Sequence, residues 1–216
     1  MKIRMNSSLI HSALALALAA GLAGCGGSDK AEFTVKGTIT GIVYPGAVLT
    51  TNGMELAIAP PAKAGDPVDF EFPNKLEYGD VYNVQFKSTP NFQRNCGTPD
   101  NTIPNFNDTA GRLADIDITL ACAVNSYTIG GTITGLTGAG LQIANGSLGS
   151  QGEIALPTTP TTTPIPYSLP VEVTYNTTYS VAILKQPAGQ VCTVANATGV
   201  MPDAAVNNIN ITCVAA

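Results

Sequence analysis

Gly37-Thr38-Ile39-Thr40-Gly41 reappears as Gly131-Thr132-Ile133-Thr134-Gly135, and the match widens in both directions. Upstream, Phe33-x-Val35-x-Gly37 answers Tyr127-x-Ile129-x-Gly131. Downstream, Phe70-x-Phe72-Pro73 is matched by Tyr167-x-Leu169-Pro170, and Tyr82-x-Val84-x-Phe86 by Tyr179-x-Val181-x-Ile183. Ile118-x-Leu120-x-Cys122 then closes the first copy as Ile209-x-Ile211-x-Cys213 closes the second. The matched pairs keep their order over roughly ninety residues, with loop insertions between them, which identifies a tandem duplication. The first copy is read as residues 32–124 and the second as 125–216.

Within each matched segment apolar and polar residues alternate. Phe33, Val35 and Ile39 are set to face a core, while Thr34, Lys36, Thr38 and Thr40 face water. Period two with β-branched residues is the signature of a half-buried strand. With 22 Gly and 15 Pro, and no sustained helical periodicity after residue 24, the chain is predicted to be all-β. Six or seven short strands per copy, separated by Gly, Pro and Asn turns, suit a compact sandwich.

Leu76-x-x-Gly79-Asp80-x-Tyr82-x-Val84 resembles the turn-into-strand segment of immunoglobulin-like and transthyretin-like sandwiches. In those folds a tyrosine just inside a strand bonds back to the preceding corner. The second copy has Val173-x-x-Asn176-Thr177-x-Tyr179-x-Val181 at the same place. An ordinary core tyrosine at the head of a strand fits the same residues. Gln186-Pro-x-Gly-Gln-x-Cys192 also resembles repeat segments of uncharacterised exported bacterial proteins, whereas the first copy departs there with Ser88-Thr-Pro-Asn-Phe-Gln-Arg-Asn-Cys96.

At the N-terminus, Lys2 and Arg4 precede an apolar run from Leu9 to Leu22, predicted to form a helical signal peptide over residues 1–24. The run is too short for a resident spanning helix. It ends on Leu22-Ala23-Gly24-Cys25, which resembles the lipobox of bacterial lipoproteins. That resemblance implies cleavage before Cys25, lipidation of its sulfur, and attachment to a membrane. Gly26 rather than Asp after the cysteine resembles the enteric pattern for the outer membrane. Residues 25–31, with Gly26-Gly27-Ser28, form a flexible tether. Cys25 to Phe33 reaches at most about 28 Å, which holds the first copy near the bilayer.

Assigning Cys25 to lipid leaves Cys96, Cys122, Cys192 and Cys213 of the five cysteines. In an exported chain an even set points to disulfides, and four cysteines allow three pairings. The repeat selects one bridge per copy, Cys96–Cys122 and Cys192–Cys213. Each is expected to contribute about 3 kcal/mol by restricting the unfolded chain. Only Ala123-Val124-Asn125-Ser126 separates Cys122 from Tyr127, so the copies are expected end to end with limited swing.

Loss of the leader takes Lys2, Arg4 and the single histidine, His11, leaving 15 acidic residues against 8 basic ones, a net charge of −7. An acidic chain without a basic cluster is a poor nucleic-acid binder. Without an imidazole, and with the remaining thiols oxidised, Ser/His, Cys/His and histidine–zinc chemistries are excluded. No catalytic residues and no cofactor are assigned. Asp115 and Asp117 share the water-facing side of a strand, but the second copy has Asn208 in place of Asp117, and neighbours on one strand do not straddle a substrate.

Asp100, Asn101, Asn107 and Asp108 lie between Cys96 and Cys122 and supply oxygen atoms suited to calcium, without an EF-hand spacing. The loops at 97–115 and 157–166 differ most between copies and are the candidate binding loops. The functional expectation is a lipid-anchored, non-enzymatic envelope protein with a binding, adhesive or structural role, its protein or glycan partner unknown. The alternative is a carbohydrate-binding module, calcium-assisted, using Tyr44, Phe92 and Phe106 as its aromatic platform.

Overall fold

The computed structural model describes residues 30–97, 105–146, 150–153 and 164–216. The signal peptide, Cys25 and most of the tether lie outside these residues. So do Asp100, Asn101 and most of the 157–166 loop.

The described chain is all-β, and its strands repeat one for one. The first copy contains β1 (Glu32–Phe33), β2 (Val35–Thr40), β3 (Ala47–Thr51), β4 (Met54–Ile58), β5 (Val68–Glu71), β6 (Leu76–Glu77), β7 (Val81–Ser88), β8 (Gln93–Gly97), β9 (Asn105–Thr109) and β10 (Ile116–Val124). The second copy contains β11 (Ser126–Tyr127), β12 (Gly130–Thr134), β13 (Gln142–Asn145), β14 (Ser150–Glu153), β15 (Ile165–Ser168), β16 (Val173–Thr174), β17 (Thr178–Lys185), β18 (Gln190–Val194), β19 (Thr198–Val200) and β20 (Ile211–Ala215). In the first copy the sheets are β5-β2-β10-β8 and β4-β3-β7-β9, with a short β1-β6 ribbon. The second repeats them as β15-β12-β20-β18, β14-β13-β17-β19 and β11-β16.

This exceeds the six or seven strands per copy expected from patterning. The additional ones include two-residue ribbons and edge strands, too short or too polar to show an alternating run. Across the matched strands the alternation holds. In β2, Val35 and Ile39 are buried and Lys36 and Thr40 are exposed. The two sheets of each copy enclose separate cores, one built on Ile39, Leu49, Phe72 and Leu120, the other on Ile133, Ile143, Leu169 and Ile211.

The first and last long strands of each copy lie side by side and parallel, β2 with β10 and β12 with β20. A copy is therefore entered at one end and left at the other, and Asn125 alone separates β10 from β11. The parallel pairing also explains the repeated pentapeptide. A Cβ on Gly37 would sit 2.0 Å from the Ile118 carbonyl oxygen, and one on Gly131 would sit 2.1 Å from that of Ile209. Gly41 and Gly135 press equally closely on the carbonyls of Cys122 and Cys213, at φ of +75° and +74°. Only glycine meets both demands.

Each copy carries one disulfide, Cys96–Cys122 from β8 to β10 and Cys192–Cys213 from β18 to β20. Beside each bridge a buried glutamine ties the end loop after the pentapeptide. Gln93 Oε1 accepts from the backbone N–H groups of Val43 (2.8 Å) and Tyr44 (3.0 Å), while its Nε2 donates to the Gly41 carbonyl (2.6 Å). Gln190 does the same to Thr137, Gly138 and Gly135, at 2.7, 2.7 and 2.6 Å. Pro90-x-x-Gln93 and Pro187-x-x-Gln190 are thus one motif. The first copy has Phe92 where the second has Gly189, and one extra residue before the cysteine, absorbed where the β8–β10 register shifts and Asn95 takes φ of 54°.

The tyrosine corner does not form. Tyr82 is buried and stacked on Phe106 with ring centroids 6.3 Å apart, and the Tyr179 hydroxyl lies against Gly199. Neither hydroxyl hydrogen-bonds a described residue, so both tyrosines are core aromatics at the head of a strand.

Candidate functional site

Where the copies meet, the first copy sets Tyr44 and Phe92, both glycine in the second, against Tyr175. Phe92 stacks on Tyr175, with centroids 4.3 Å apart and planes 20° apart. Tyr44 packs edge-on to both, 5.5 Å from Phe92 and 5.6 Å from Tyr175. The corresponding positions at the far end of the second copy are Gly189 for Phe92 and Gly138 for Tyr44. Backbone conformation sharpens this difference. Five described non-glycine residues have positive φ; four are asparagines and the fifth is Phe92, at φ of 57°. Gly189 occupies the same conformation at φ of 67° without strain. A bulky residue in the left-handed region costs of order 1 kcal/mol or more, and the surrounding clamp of Gln93 holds it there.

Polar groups ring this aromatic cluster. Arg94 donates to the Ser126 carbonyl at 2.6 Å, lies 3.6 Å from the Glu172 carboxylate and sits 5.4 Å from the centre of the Tyr127 ring. Ser126 Oγ also donates to Glu172. The backbone of Asn125 donates to the Phe92 carbonyl at 2.9 Å and accepts from Tyr175 N–H at 2.8 Å. Its side chain donates to Asp203 at 2.9 Å, and the Tyr127 hydroxyl donates to the same carboxylate oxygen at 2.7 Å. These two donors, Asn125 foremost, hold the Asp203 carboxyl below the ordinary carboxylate range. Reciprocally, the hydrogen bond to Asp203 pushes the Tyr127 phenol up. The arrangement binds one copy to the other. Tyr44 and Tyr175 are half-buried in it, while Phe92, Arg94, Glu172 and Asp203 keep an edge open to water.

Two of the three aromatics expected to form a sugar platform, Tyr44 and Phe92, are therefore engaged in this junction. The third, Phe106, is half-buried against the first core. The proposed calcium ligands also fall differently from expectation. Asn107 and Asp108 belong to strand β9, paired with β7, rather than to a loop. As adjacent strand residues they project to opposite faces, so they do not converge on one ion. Asp108 already accepts from its neighbour Thr109 N–H at 2.8 Å and from Arg112 at 3.0 Å. Asp115 and Asp117 are exposed, the latter on an outer sheet face beside Lys36, Asp69 and Glu71.

Sequence reasoning did not find the junction. Its one local signal was the substitution of Phe92 for glycine in the Pro-x-x-Gln motif, hidden by the extra residue that follows.

No family model matches the chain, and no curated protein matches it. Among solved structures it is similar to the TIE protein of Bacillus anthracis, at 15% identity and a TM-score of 0.43. That similarity covers 85% of this chain and 34% of the other, so the chain spans about a third of that protein's length.

Proposed function

We propose that this is an exported bacterial envelope protein, anchored through acyl chains on Cys25, in which two locked sandwiches act as a stiff, non-catalytic post. The post carries the outer end of the second copy away from the membrane, the outer membrane by resemblance of its sorting residue, and offers that end to a protein or glycan partner. The observation that carries this reading is the junction. Tyr44, Phe92 and Arg94 of the first copy contact the second, and the equivalent outer end bears Gly138, Gly189 and Val191. Closure of all four remaining cysteines into intra-copy bridges supports an oxidising compartment. The sugar-platform reading draws no support from Tyr44 or Phe92, whose rings are committed to the junction.

Photo-crosslinkers placed at Val191 and Val214, exposed residues of the second copy, test the presenting role on intact cells. Reproducible capture of one protein or glycan is expected. Capture at neither position while crosslinkers on the first copy succeed would overturn the assignment of the presenting end.

A further inference from the structure

The face of the second copy covered at the junction has an equivalent on the first that no described residue covers in the same way. Tyr175, whose N–H donates to the Asn125 carbonyl, corresponds to Tyr78, whose N–H donates to the Ala31 carbonyl at 2.8 Å. Tyr175 is half-buried beneath Phe92 and Tyr44, whereas Tyr78 is 65% exposed. Its ring lies against the turn at Gly111, where an added Cβ would come within 2.3 Å of it. The same turn carries Leu113, 54% exposed.

A second molecule of this chain does not suit that face. The end bearing Tyr44 and Phe92 is already occupied by its own second copy, and the outer end of the second copy has Gly138 and Gly189. The charges are also exchanged. Where Arg94 pairs with Glu172 at the junction, with Asp203 beside it, the open face carries Lys75 and Arg112 at the corresponding positions.

We infer that the open face of Tyr78 and Leu113 docks onto the phospholipid bilayer, seating the first copy on the membrane surface. This rests on the anchoring at Cys25 proposed above. Ala31, bonded to Tyr78, is six residues from Cys25, a reach of at most about 21 Å, so an anchored chain delivers this face to the headgroup layer. Tyrosine beside an aliphatic residue is the chemistry favoured at that depth, with ring and chain among the acyl boundary and the hydroxyl in water. The surrounding cations are paired, Lys30 with Glu77, Lys75 with Glu32 and Arg112 with Asp108. The face therefore lacks the free basic cluster that selects anionic lipid, and zwitterionic headgroups suffice.

The chain has no tryptophan, so Tyr78→Trp introduces a single reporter. The full chain, matured in bacteria and reconstituted into zwitterionic phosphatidylcholine vesicles with brominated acyl chains, is compared with Val214→Trp. Docking predicts a blue shift and loss of intensity at position 78 and neither at 214. Adding Leu113→Asp to the Tyr78→Trp chain is expected to restore the intensity. Protein that floats with vesicles but keeps a water-exposed, unquenched reporter at position 78 would overturn the docking while leaving the anchor standing. Protein that does not float would overturn the anchor, and the docking with it.

Discussion

Two glutamines, Gln93 and Gln190, are buried, and each satisfies three backbone groups of a partly exposed end loop. Truncation removes three part-buried hydrogen bonds that water replaces only in part, a cost of about 1–2 kcal/mol. Gln190→Ala is accordingly expected to lower the urea midpoint of the second copy, and Gln93→Ala that of the first. Unchanged midpoints would show that the loops are held by other contacts. Tyr167 gives the copies different responses to alkali. Its hydroxyl donates to the Ile209 carbonyl at 2.7 Å, and burial pushes its pKa up to about 12 from 10.0. Phe70 stands at the equivalent position of the first copy. Because the folded value is the raised one, this contribution is intact below pH 10 and is lost as pH rises from 10 towards 12. Tyr167→Phe should weaken the second copy by about 1 kcal/mol at neutral pH, through the lost hydrogen bond, yet flatten its decline in stability above pH 10. Chemical denaturation at a series of pH values checks both signs.

At the scale of elements, the strands that were legible in the sequence are those with one wet face and one dry face. β2, β7 and β10, with their partners β12, β17 and β20, carry a clear period-two pattern and bury the residues it names. β9 was not legible, because Asn105-Phe-Asn-Asp-Thr109 is an edge strand with a single apolar residue and reads as a polar loop. The cysteine pairing was legible because duplication reduced three possibilities to one. Contact between Phe92 and Tyr175 was not, since nothing local to either residue specifies a partner in the other copy. The bridges tie the edge of one sheet in each copy, β8 to β10 and β18 to β20. Replacing Cys192 and Cys213 together with Ala is expected to cost the second copy about 3 kcal/mol while leaving the first copy's transition in place. Limited proteolysis across a denaturant series separates the two. Simultaneous loss of both copies would indicate one cooperative unit instead.

For the whole molecule, the central claim is that the two sandwiches are held in one orientation by the aromatic and charged groups at their junction. A stacked pair with an edge-on third ring contributes about 1 kcal/mol per contact beyond its buried area, enough to bias orientation strongly when the connection is a single residue. Phe92→Gly is a selective probe. It relieves the strain of a left-handed phenylalanine within the first copy while removing the ring that stacks on Tyr175, so stability and orientation should respond in opposite senses. The measurement that tests this most directly is a pulsed dipolar distance distribution between spin labels at exposed Asp66 in the first copy and exposed Val191 in the second. A single narrow distance that broadens in Phe92→Gly is the predicted result, whereas a distribution already broad in the parent chain, and unchanged by the substitution, would contradict it.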